Sequence, residues 1–450
     1  MGELSGRIRT MTTERRRVFL FLQGPPSGFA RQISDELDRL GHRTVRINLC
    51  SGDWLYWRKP GAVNYRGTLQ EFPAFLEDFC RREGVTDVLY YADRLPYHRV
   101  AASVARKLGI TDVTYEFGYL RPDWITFERG GMSAYSHFPK DPDQIRKIAR
   151  DAPEPDLEPH YPYTFGQEAF NEVVYNLTTF FARWPFWNYD ADKYYNPFID
   201  YLNHLPQLFL GKVHHRNARR VIRKLRKSGQ RYYVFPMQLQ SDYQLRSNSP
   251  FNHQSDAIDM VMKSFKAHAP EDAVLIFKVH PLDNGMEKWP KAIRRLARKN
   301  GLKGRVRFIN GGALDQLLEK AEGCVLINST VGLHAYRLAC PVKIIGMAMF
   351  DIPGLAFQGE LDEFWTNGEK PDIDLCADFI KALAATIQVK GNFYTKAGRA
   401  AAVRDVAQRL IEGHINEPGA FVNPPPRLAE ARKRGLPYRS DEEILAGHIK

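Results

Sequence analysis

The chain has 450 residues, of which 44% are hydrophobic and 26% are charged. This balance excludes wholesale disorder, and the length corresponds to two or three domains of about 150 residues each. Apolar runs such as Val18–Leu22 and Ala273–Phe277 are as long as a strand and far shorter than the ~20 residues that span a bilayer. The formal net charge of +12 favours anionic partners: acidic lipid, nucleic acid or a negatively charged small substrate.

The cysteines are scattered singly and show no metal-binding spacing. They are Cys50, Cys80, Cys324, Cys340 and Cys376. This usage is typical of free thiols in a reducing cytoplasm. No DxD motif stands out either, so the sequence predicts neither a metal site nor a cofactor.

Predicted strands and helices alternate through the first third of the chain. After a strand at Val18–Leu22, a loop leads into an amphipathic helix at Phe29–Leu40, which Gly41 ends. The same alternation continues to about residue 150. Such alternation predicts βαβ units and a parallel sheet, so we expect residues 1–150 to form a Rossmann-like domain.

The composition changes after this block. Residues 151–230 are rich in aromatic residues and helical patterns and contain no clear strand. A second alternation of strands and helices opens at Tyr232–Pro236, and we assign residues 231–400 to a second Rossmann-like domain and residues 401–450 to a helix and tail. The predicted fold class is therefore α/β, with two Rossmann-like domains facing a central cleft and a helical segment between them. Ligands in such folds bind outside the carboxyl ends of the strands.

The first predicted βα loop, Gln23–Gly28, places glycines and free backbone NH groups at the start of a helix. This arrangement can bind an anion, although it lacks the spacing of a dinucleotide or Walker loop. A tight structural turn is the alternative interpretation. Gln23 and Gly24 are candidate cleft residues.

Charged residues follow the fifth predicted strand. Glu116 lies at the end of this strand, Gly118 allows a sharp turn toward the crevice, and Arg121, Asp123 and Glu128 come next. A carboxylate at such a position can act as a base or a nucleophile, particularly if burial raises its pKa. The alternative is a charged loop held by an Arg–carboxylate ion pair.

Three polar loops follow strands of the second block. They contain Gln238, Asp242 and Gln244, then His280 and Pro281, then Asn328, Ser329 and Thr330. An imidazole at a strand end can hold a phosphate or ribose oxygen, and hydroxyls at a helix start bind anions. A structural histidine and a simple helix cap are the alternatives. Because all three loops follow strands of one sheet, we expect them to converge on one site.

Two features of the helical segment concern partners. Basic residues recur at helical spacing opposite an apolar stripe. They are Lys212, Arg216, Arg219, Arg220, Arg223, Arg226 and Lys227. Such a helix can lie on anionic lipid, bind nucleic acid or be a solvated face. The aromatic run Phe180–Tyr195 fits either an interfacial or acyl-chain contact or an ordinary core.

Taken together and in this order, the motifs YEFGYLRPDWITFE, PMQLQSDYQ, KVHP and NSTVG resemble the bacterial capsule polysaccharide biosynthesis and export family. The resemblance covers about residues 18–365 and is greatest to the β-Kdo transferases of the KpsS type. It implies a GT-B-like fold and a transferase that uses CMP-Kdo. It further implies addition of the first Kdo to a lysophosphatidylglycerol acceptor, which begins the poly-Kdo linker of a capsule.

The resemblance also implies roles for particular residues. His280 and Pro281 would contact the CMP, Ser329 and Thr330 would hold the donor phosphate, and Asn328 lies beside them. Gln238, Asp242 and Gln244 would line the donor side of the cleft. Related Kdo transferases retain configuration, which implies a carboxylate nucleophile.

Glu116 matches the acid of the family's acid-x-Gly motif. Relatives often carry a second acid immediately before the glycine, where this chain has Phe117. The nucleophile or base is therefore Glu116, or another acid such as Asp123 or Glu128.

The partners implied are the CMP-sugar, an anionic lysophospholipid, a sister Kdo transferase and the capsule ABC transporter. We expect a cytoplasmic protein, peripheral on the inner membrane, and no nucleic-acid partner because no recognised module is present. A CMP-sugar has one phosphate and does not require a chelating metal. The alternatives are another CMP-sugar transferase, such as a chain-extending Kdo transferase or a sialyltransferase, or a non-catalytic capsule-export adaptor.

Overall fold

The computed structural model describes residues 16–449, except for the side chains of residues 197–198, 205–210 and 212. The first fifteen residues of the predicted first domain therefore lie outside the description. The strands form two separate sheets. In chain order they are β1 (Val18–Phe21), β2 (Arg43–Asn48), β3 (Val63–Asn64), β4 (Asp87–Tyr91), β5 (Thr111–Phe117), β6 (Trp124–Arg129), β7 (Tyr232–Pro236), β8 (Val274–Lys278), β9 (Val306–Ile309), β10 (Gly323–Leu326), β11 (Val342–Ile344) and β12 (Gln388–Lys390).

Helices cover the sheets and connect them. They are α1 (Phe29–Arg39), α2 (Ser51–Trp57), α3 (Phe72–Glu83), α4 (Pro96–Leu108), α5 (Pro142–Asp151), α6 (Phe165–Phe181), α7 (Pro197–Ser228), α8 (Tyr243–Ser247), α9 (Gln254–His268), α10 (Trp289–Lys299), α11 (Leu314–Leu318), α12 (Val331–Arg337), α13 (Leu361–Asn367), α14 (Ile373–Thr386), α15 (Lys396–Glu412), α16 (Leu428–Lys433) and α17 (Asp441–Leu445). Short 3₁₀ turns lie at Ser133–Tyr135 and Trp184–Phe186.

The first sheet has the strand order β12-β6-β5-β4-β1-β2-β3. Strands β1 to β5 are parallel, which confirms the predicted βαβ units. Strand β6 is antiparallel to β5, with Ile125 opposite Phe117. No strand was predicted for this segment, and the alternative interpretation of it as a charged loop is wrong. Ile125 and Phe127 pack into the core, while Thr126 and Glu128 are also fully buried on the opposite face, so the charge pattern concealed a strand buried on both sides.

The second sheet has the strand order β11-β10-β7-β8-β9, and all of its strands are parallel. Every residue of β7 and β8 is buried, as expected of strands covered by helices on both faces. This confirms a second Rossmann-like domain. The carboxyl ends of its strands present the loops that contain the predicted site residues.

The chain returns to the first domain before residue 400. Strand β12 pairs antiparallel with β6, and α15 packs against α1. The predicted boundary at residue 400 therefore differs from this topology, because the last part of the 231–400 segment belongs to the first sheet. Phe393 explains the return: it is fully buried, with ring centroids 5.1 Å from Phe29 and 5.2 Å from Phe117.

Two long helices, α6 and α7, occupy the segment between the domains, which confirms its predicted helical character.

The C-terminal tail is anchored in the protein interior and does not simply lie on the surface. Arg427 is fully buried and donates to the backbone carbonyl of Pro139 at 3.1 Å, and Ile444 packs into the first domain's core. No helix within residues 16–449 combines the length and the apolar character needed to cross a membrane.

We predict that Phe393→Ala lowers the free energy of unfolding by about 3–5 kcal/mol, because it empties a ring-lined core position that joins the C-terminal segment to the first sheet. Urea denaturation measures this value. Phe170→Ala, at a position where the phenylalanine is 68% exposed, is the matched control and should change stability by less than about 0.5 kcal/mol. Equal effects of the two substitutions would contradict the assignment of the C-terminal segment to the first domain.

Candidate active site

A hydrogen bond joins the two domains across the cleft. Glu116 lies near the carboxyl end of β5 in the first sheet, and Gln244 lies in α8, just after β7 of the second sheet. Gln244 Nε2 donates to Glu116 Oε2 at 3.1 Å. The structure thus brings together two residues that the sequence analysis placed in separate blocks.

A network of amide side chains fixes the orientation of Gln244. Its Oε1 accepts from Ser133 Oγ and from Asn248 Nδ2, both at 2.8 Å. Asn328 Nδ2 donates to the Gln244 backbone carbonyl at 2.8 Å, and Gln238 Nε2 donates to Asn328 Oδ1 at 2.8 Å. Because buried amides are costly to leave unpaired, this network holds Gln244 with its NH₂ group toward Glu116.

Three members of the network were not predicted. Asn248 lies four residues after Gln244, a helical spacing that could have indicated a shared face. Gln254 is fully buried and exchanges hydrogen bonds with the backbone of Gln238 at 2.8 and 3.0 Å. Ser133 reaches Gln244 from a 3₁₀ turn of the first domain, with a φ of 53°, and no sequence signal marks it.

The cleft environment raises the pKa of Glu116 from the 4.5 of an ordinary glutamate to about 7. Burial is the largest cause, and the negative charges of Asp242 and Asp93 add to it. The hydrogen bond from Gln244 and the positive charge of Arg121 oppose the shift. A carboxyl group with this pKa is close to half ionised at neutral pH and can therefore take up or release a proton there.

His280 follows β8 and is neutral at physiological pH. Burial, with the positive charges of Arg121 and Lys278, lowers its pKa to about 4. Its Nδ1 accepts the backbone NH of Leu282 at 3.1 Å, so the ring proton lies on Nε2. The imidazole can therefore donate one hydrogen bond to an oxygen in the cleft. The exposed Pro281 follows directly.

The other second-domain residues cap short helices. Asp242 is the N-cap of α8, where its Oδ1 accepts the Gln244 backbone NH at 2.8 Å, and burial raises its pKa. Ser329 Oγ accepts the backbone NH of Val331 at 3.3 Å. Thr330, the N-cap of α12, makes no side-chain cap bond. Ser329 and Thr330 are half-buried, so this helix start is accessible from the cleft.

The first βα loop is tightly packed. Gln23 is buried, and its Nε2 donates to Tyr189 Oη at 3.0 Å and to Tyr175 Oη. A Cβ added to Gly24 would lie 3.0 Å from the Ala30 Cβ. The glycine therefore permits close packing of the turn, and Gln23 connects this loop to the helical segment.

Gly118 and Arg121 shape the turn between β5 and β6. A Cβ on Gly118 would lie 2.4 Å from the Trp124 backbone, so only glycine fits there. Arg121 is exposed, with its guanidinium 5.1 Å from the centre of the Phe117 ring. Its charge lowers the pKa of both Glu116 and His280, which places a cation within electrostatic reach of both sides of the cleft.

The other two predicted catalytic acids lie outside this cluster. Asp123 is fully buried, with Oδ1 3.2 Å from Lys390 Nζ and Oδ2 accepting two backbone amides at 2.6 and 3.0 Å. Glu128 is fully buried and accepts from Ser136 Oγ, and burial raises its pKa to about 8. Both acids therefore serve the packing of β6, and Glu116 is the acid that the structure brings to the cleft.

Over the described part of the chain, no three His, Cys, Asp or Glu side chains come together as a metal site. The five cysteines are free and buried.

The basic residues of α7 divide into two groups. Arg216, Arg219, Arg220, Arg223 and Lys227 are exposed, whereas Arg226 is half-buried and pairs with Glu319 at 2.7 Å. The predicted Lys212 side chain lies outside the described residues.

The fold and site define a two-domain α/β protein whose sheets meet at a polar cleft. Residues 86–394 match the family model described as "Capsule polysaccharide biosynthesis protein", and the chain belongs to this family. It is 34% identical over 379 residues to the capsule polysaccharide export protein KpsS of Escherichia coli, covering 84% of this chain and 97% of the relative.

Two further comparisons are more distant. The capsule polysaccharide modification protein LipB of Neisseria meningitidis serogroup A is 30% identical, covering 84% of this chain and 91% of LipB. The solved structure of Thermosulfurimonas dismutans KpsC, a β-Kdo 2,7 transferase, aligns with a TM-score of 0.42 at 13% identity, covering 87% of this chain and 98% of KpsC.

We predict that Glu116 makes the wild-type protein less stable as pH rises. Its folded pKa of about 7 exceeds the 4.5 of an ordinary glutamate, so its contribution is complete below the unfolded pKa and is lost as pH rises through the folded one. Between about pH 5 and about pH 8, wild-type stability should fall by up to about 3 kcal/mol more than that of Glu116→Gln. Urea denaturation at both pH values measures this, with the exposed Glu369→Gln as control. Parallel pH profiles for Glu116→Gln and wild type would contradict it.

Proposed function

We propose that this protein is a capsule-pathway glycosyltransferase that transfers Kdo from CMP-Kdo to a (lyso)phosphatidylglycerol acceptor and so begins the poly-Kdo linker. The observation that carries the proposal is the Glu116 carboxyl, bonded across the cleft to Gln244, with its pKa raised to about 7. Membership of the capsule polysaccharide biosynthesis family supports the pathway. The resemblance to β-Kdo transferases supplies the donor and the acceptor.

The donor occupies the second-domain side of the cleft in this proposal. His280 Nε2–H donates to a phosphate or ribose oxygen of CMP, while Ser329 and Thr330 meet the phosphate at the start of α12. Arg121 adds a positive charge suited to a donor that carries both a phosphate and a sugar carboxylate. No step requires a metal in this proposal, because Arg121 supplies a positive charge and the other groups donate hydrogen bonds to the single phosphate of CMP.

Glu116 acts as the nucleophile. Its ionised oxygen attacks the anomeric carbon of Kdo, the bond from that carbon to the phosphate oxygen breaks, and CMP leaves with the bonding electrons. The acceptor hydroxyl then attacks the same carbon from the opposite face, and its proton passes to water. The bond from that carbon to the Glu116 oxygen breaks, and the carboxylate is released with the bonding electrons. Two displacements retain the configuration. Gln244 Nε2 positions the carboxyl group by holding Oε2.

The exposed basic face of α7 binds the acceptor's membrane. Arg216, Arg219, Arg220, Arg223 and Lys227 present five cations to solvent, and each basic residue near an anionic surface contributes about 1 kcal/mol. The protein is thus peripheral on the cytoplasmic face of the inner membrane. Its product passes to a sister Kdo transferase and then to the capsule ABC transporter.

We predict that Glu116→Gln lowers Kdo transfer from CMP-Kdo, generated in situ, to a fluorescent lysophosphatidylglycerol by roughly 10²–10⁴-fold. His280→Ala should lower it by roughly 10–100-fold, the effect of one hydrogen bond to a charged oxygen. Glu128→Gln makes the same change in another buried glutamate and should retain activity. Chromatography of the labelled lipid measures the product.

Three outcomes, read from this assay together with calorimetry of CMP binding, would reject parts of the proposal. If Glu128→Gln loses transfer while Glu116→Gln retains it, the nucleophile is Glu128 and not Glu116. A wild-type protein that binds CMP but forms no product would require another CMP-sugar or acceptor, and one that binds no CMP would be a non-catalytic adaptor.

For the membrane contact, we predict that replacing Arg219, Arg220 and Arg223 with Gln weakens binding to phosphatidylglycerol vesicles by roughly 100-fold, since three cations are removed. Vesicle co-sedimentation measures the affinity. The matched control replaces Arg294, Arg295 and Arg298, which are exposed on α10, and should leave binding within about 3-fold of wild type. Equal losses in both variants would indicate a dependence on net charge alone.

A further inference from the structure

The segment between the domains exposes large aromatic side chains. Phe181 is 73% exposed, Trp184 69%, Trp187 68% and Phe170 68%, and Phe180 is also exposed. We call these five residues the aromatic surface. Exposed apolar clusters of this kind mark interaction sites, and Trp and Phe are the residues that enter the interface of a bilayer.

The aromatic surface is directed away from the protein's own core. Tyr175 is the buried residue of α6, and its Oη donates to Oδ1 of Asp53 in α2 at 3.1 Å. Helical periodicity places Phe170, Phe180 and Phe181 on the face opposite Tyr175. The core alternative for this aromatic run therefore holds for Phe186, which is buried, and for Tyr189, which packs on the first domain's core. It fails for the exposed residues Phe180, Phe181, Trp184 and Trp187.

Helix α7 begins against α6 and presents an outer face that is first apolar and then basic. Leu202 and Val213 are about half exposed, and the helical period places them on the same outer face as Arg216, Arg220 and Arg223. Ala218, Ile222 and Leu225 on the opposite face are buried. Asn176 Nδ2 donates to Tyr201 Oη at 2.7 Å, which holds the start of α7 against α6. Apolar side chains beside cations match an anionic bilayer, whose interface offers both environments.

A cavity of about 590 Å³ lies directly behind the aromatic surface. Phe180 belongs to both, because it lines the cavity and is also exposed. Polar lining residues include Ser51, Thr179 and Asn188, and the cations are Arg183 and Lys193. These groups are suited to a phosphodiester and its hydroxyls.

Two acids also line this cavity. Asp192 is engaged by the second domain, 3.9 Å from Arg246 and 3.3 Å from Tyr243 Oη, and Asp190 has partners of its own. Arg183 donates to the Trp187 backbone carbonyl at 3.2 Å, and Lys193 Nζ donates to Asn176 Oδ1. Each cation keeps further N–H groups, so Arg183 and Lys193 are the charged groups that can donate to a phosphate.

One lining residue of the cavity is bonded to the sheet edge of the active site. Tyr189 lines the cavity and accepts from Gln23 Nε2 at the carboxyl end of β1. In the first sheet β4 lies between β1 and β5, so Gln23 and Glu116 are two strands apart, roughly 10 Å. The cavity therefore lies next to Gln23, on the same sheet edge that carries Glu116.

We propose that the aromatic surface inserts into the interface of an anionic bilayer and that the cavity behind it receives the headgroup of a lysophospholipid acceptor. The acyl chain stays in the bilayer beside Phe180 while the headgroup phosphate meets Arg183 and Lys193. The acceptor part of this inference rests on the proposed transferase function. The insertion part does not, and the experiments separate the two.

The first experiment measures binding to vesicles of mixed phosphatidylglycerol and phosphatidylcholine. Phe181→Ser combined with Trp184→Ser should weaken co-sedimentation by roughly 10-fold or more, because two inserting side chains are lost. Ile373→Ser, at a position where the isoleucine is 51% exposed on α14, is the control and should bind as wild type does. Wild-type affinity in the double variant would overturn the insertion.

A second measurement uses conservative variants in case the serine variant does not fold. Brominated phosphatidylglycerol in the vesicles should quench the tryptophan fluorescence of the wild-type protein. Replacing Trp184 and Trp187 with Phe should remove most of that quenching while binding persists. Quenching that survives this replacement would place another surface, such as the half-exposed Trp54, in the bilayer and overturn the inference.

The cavity is tested without the sugar donor, by calorimetry with glycerophosphoglycerol, the acceptor headgroup without its acyl chain. Arg183→Gln should weaken this binding by roughly 10-fold, as expected for one charge-assisted hydrogen bond, whereas Arg404→Gln on α15 should not. Unchanged binding in Arg183→Gln, or equal binding of inorganic phosphate, would overturn the assignment to a lipid headgroup. Kdo transfer by a wild-type protein whose vesicle binding does not depend on Phe181 and Trp184 rejects only the docking surface. Intact binding at both sites without transfer rejects only the proposed function.

Discussion

The hydrogen bond from Gln244 to Glu116 is the contact on which the cleft depends. It joins the carboxyl edges of two separately built sheets, and it is held by an amide network in which Gln238, Asn248 and Asn328 all have partners. Buried amides tolerate few alternative arrangements, because every unpaired group costs free energy. The same enclosure raises the pKa of Glu116. The burial of Glu116 between the two domains therefore explains both its hydrogen bond to Gln244 and its raised pKa.

The return of the chain to the first domain supports this arrangement. Strand β12 extends the first sheet beyond β6, and Phe393 packs among rings from α1 and β5. Because β12 follows the second domain in the chain, each sheet is connected to the other twice, through the α6–α7 segment and through the stretch before β12. Two connections restrict the relative motion of the sheets more than one does. The cleft residues of β5 are thus supported by a segment nearly three hundred residues later.

The helical segment packs on both domains with its inner side and exposes aromatic and basic residues on its outer side. Its inner side packs on the first domain through Tyr175 and on the second through Ile222 and Leu225. Its outer side carries exposed aromatic and basic side chains. A helix that is apolar on the inside and also apolar on part of the outside is exceptional for a surface helix. We therefore expect a partner to cover the exposed aromatic side chains, and the cations of α7 favour an anionic lipid surface as that partner.

The sequence by itself determined the α/β class, the two Rossmann-like domains and the loops that carry Glu116, Gln244, His280 and Ser329, because strand and helix periodicity and position after a strand are local properties. It did not determine that β6 is a strand, that β12 returns to the first sheet, or that Asp123 and Glu128 are sealed in the core. Those features depend on which face of a segment another part of the chain covers, and a charged residue looks the same in sequence whether it is paired inside or solvated outside. The position of Glu116 beside Gln244, the burial of the other two acids away from it, and the exposure of much of the aromatic run were likewise decided only by tertiary packing.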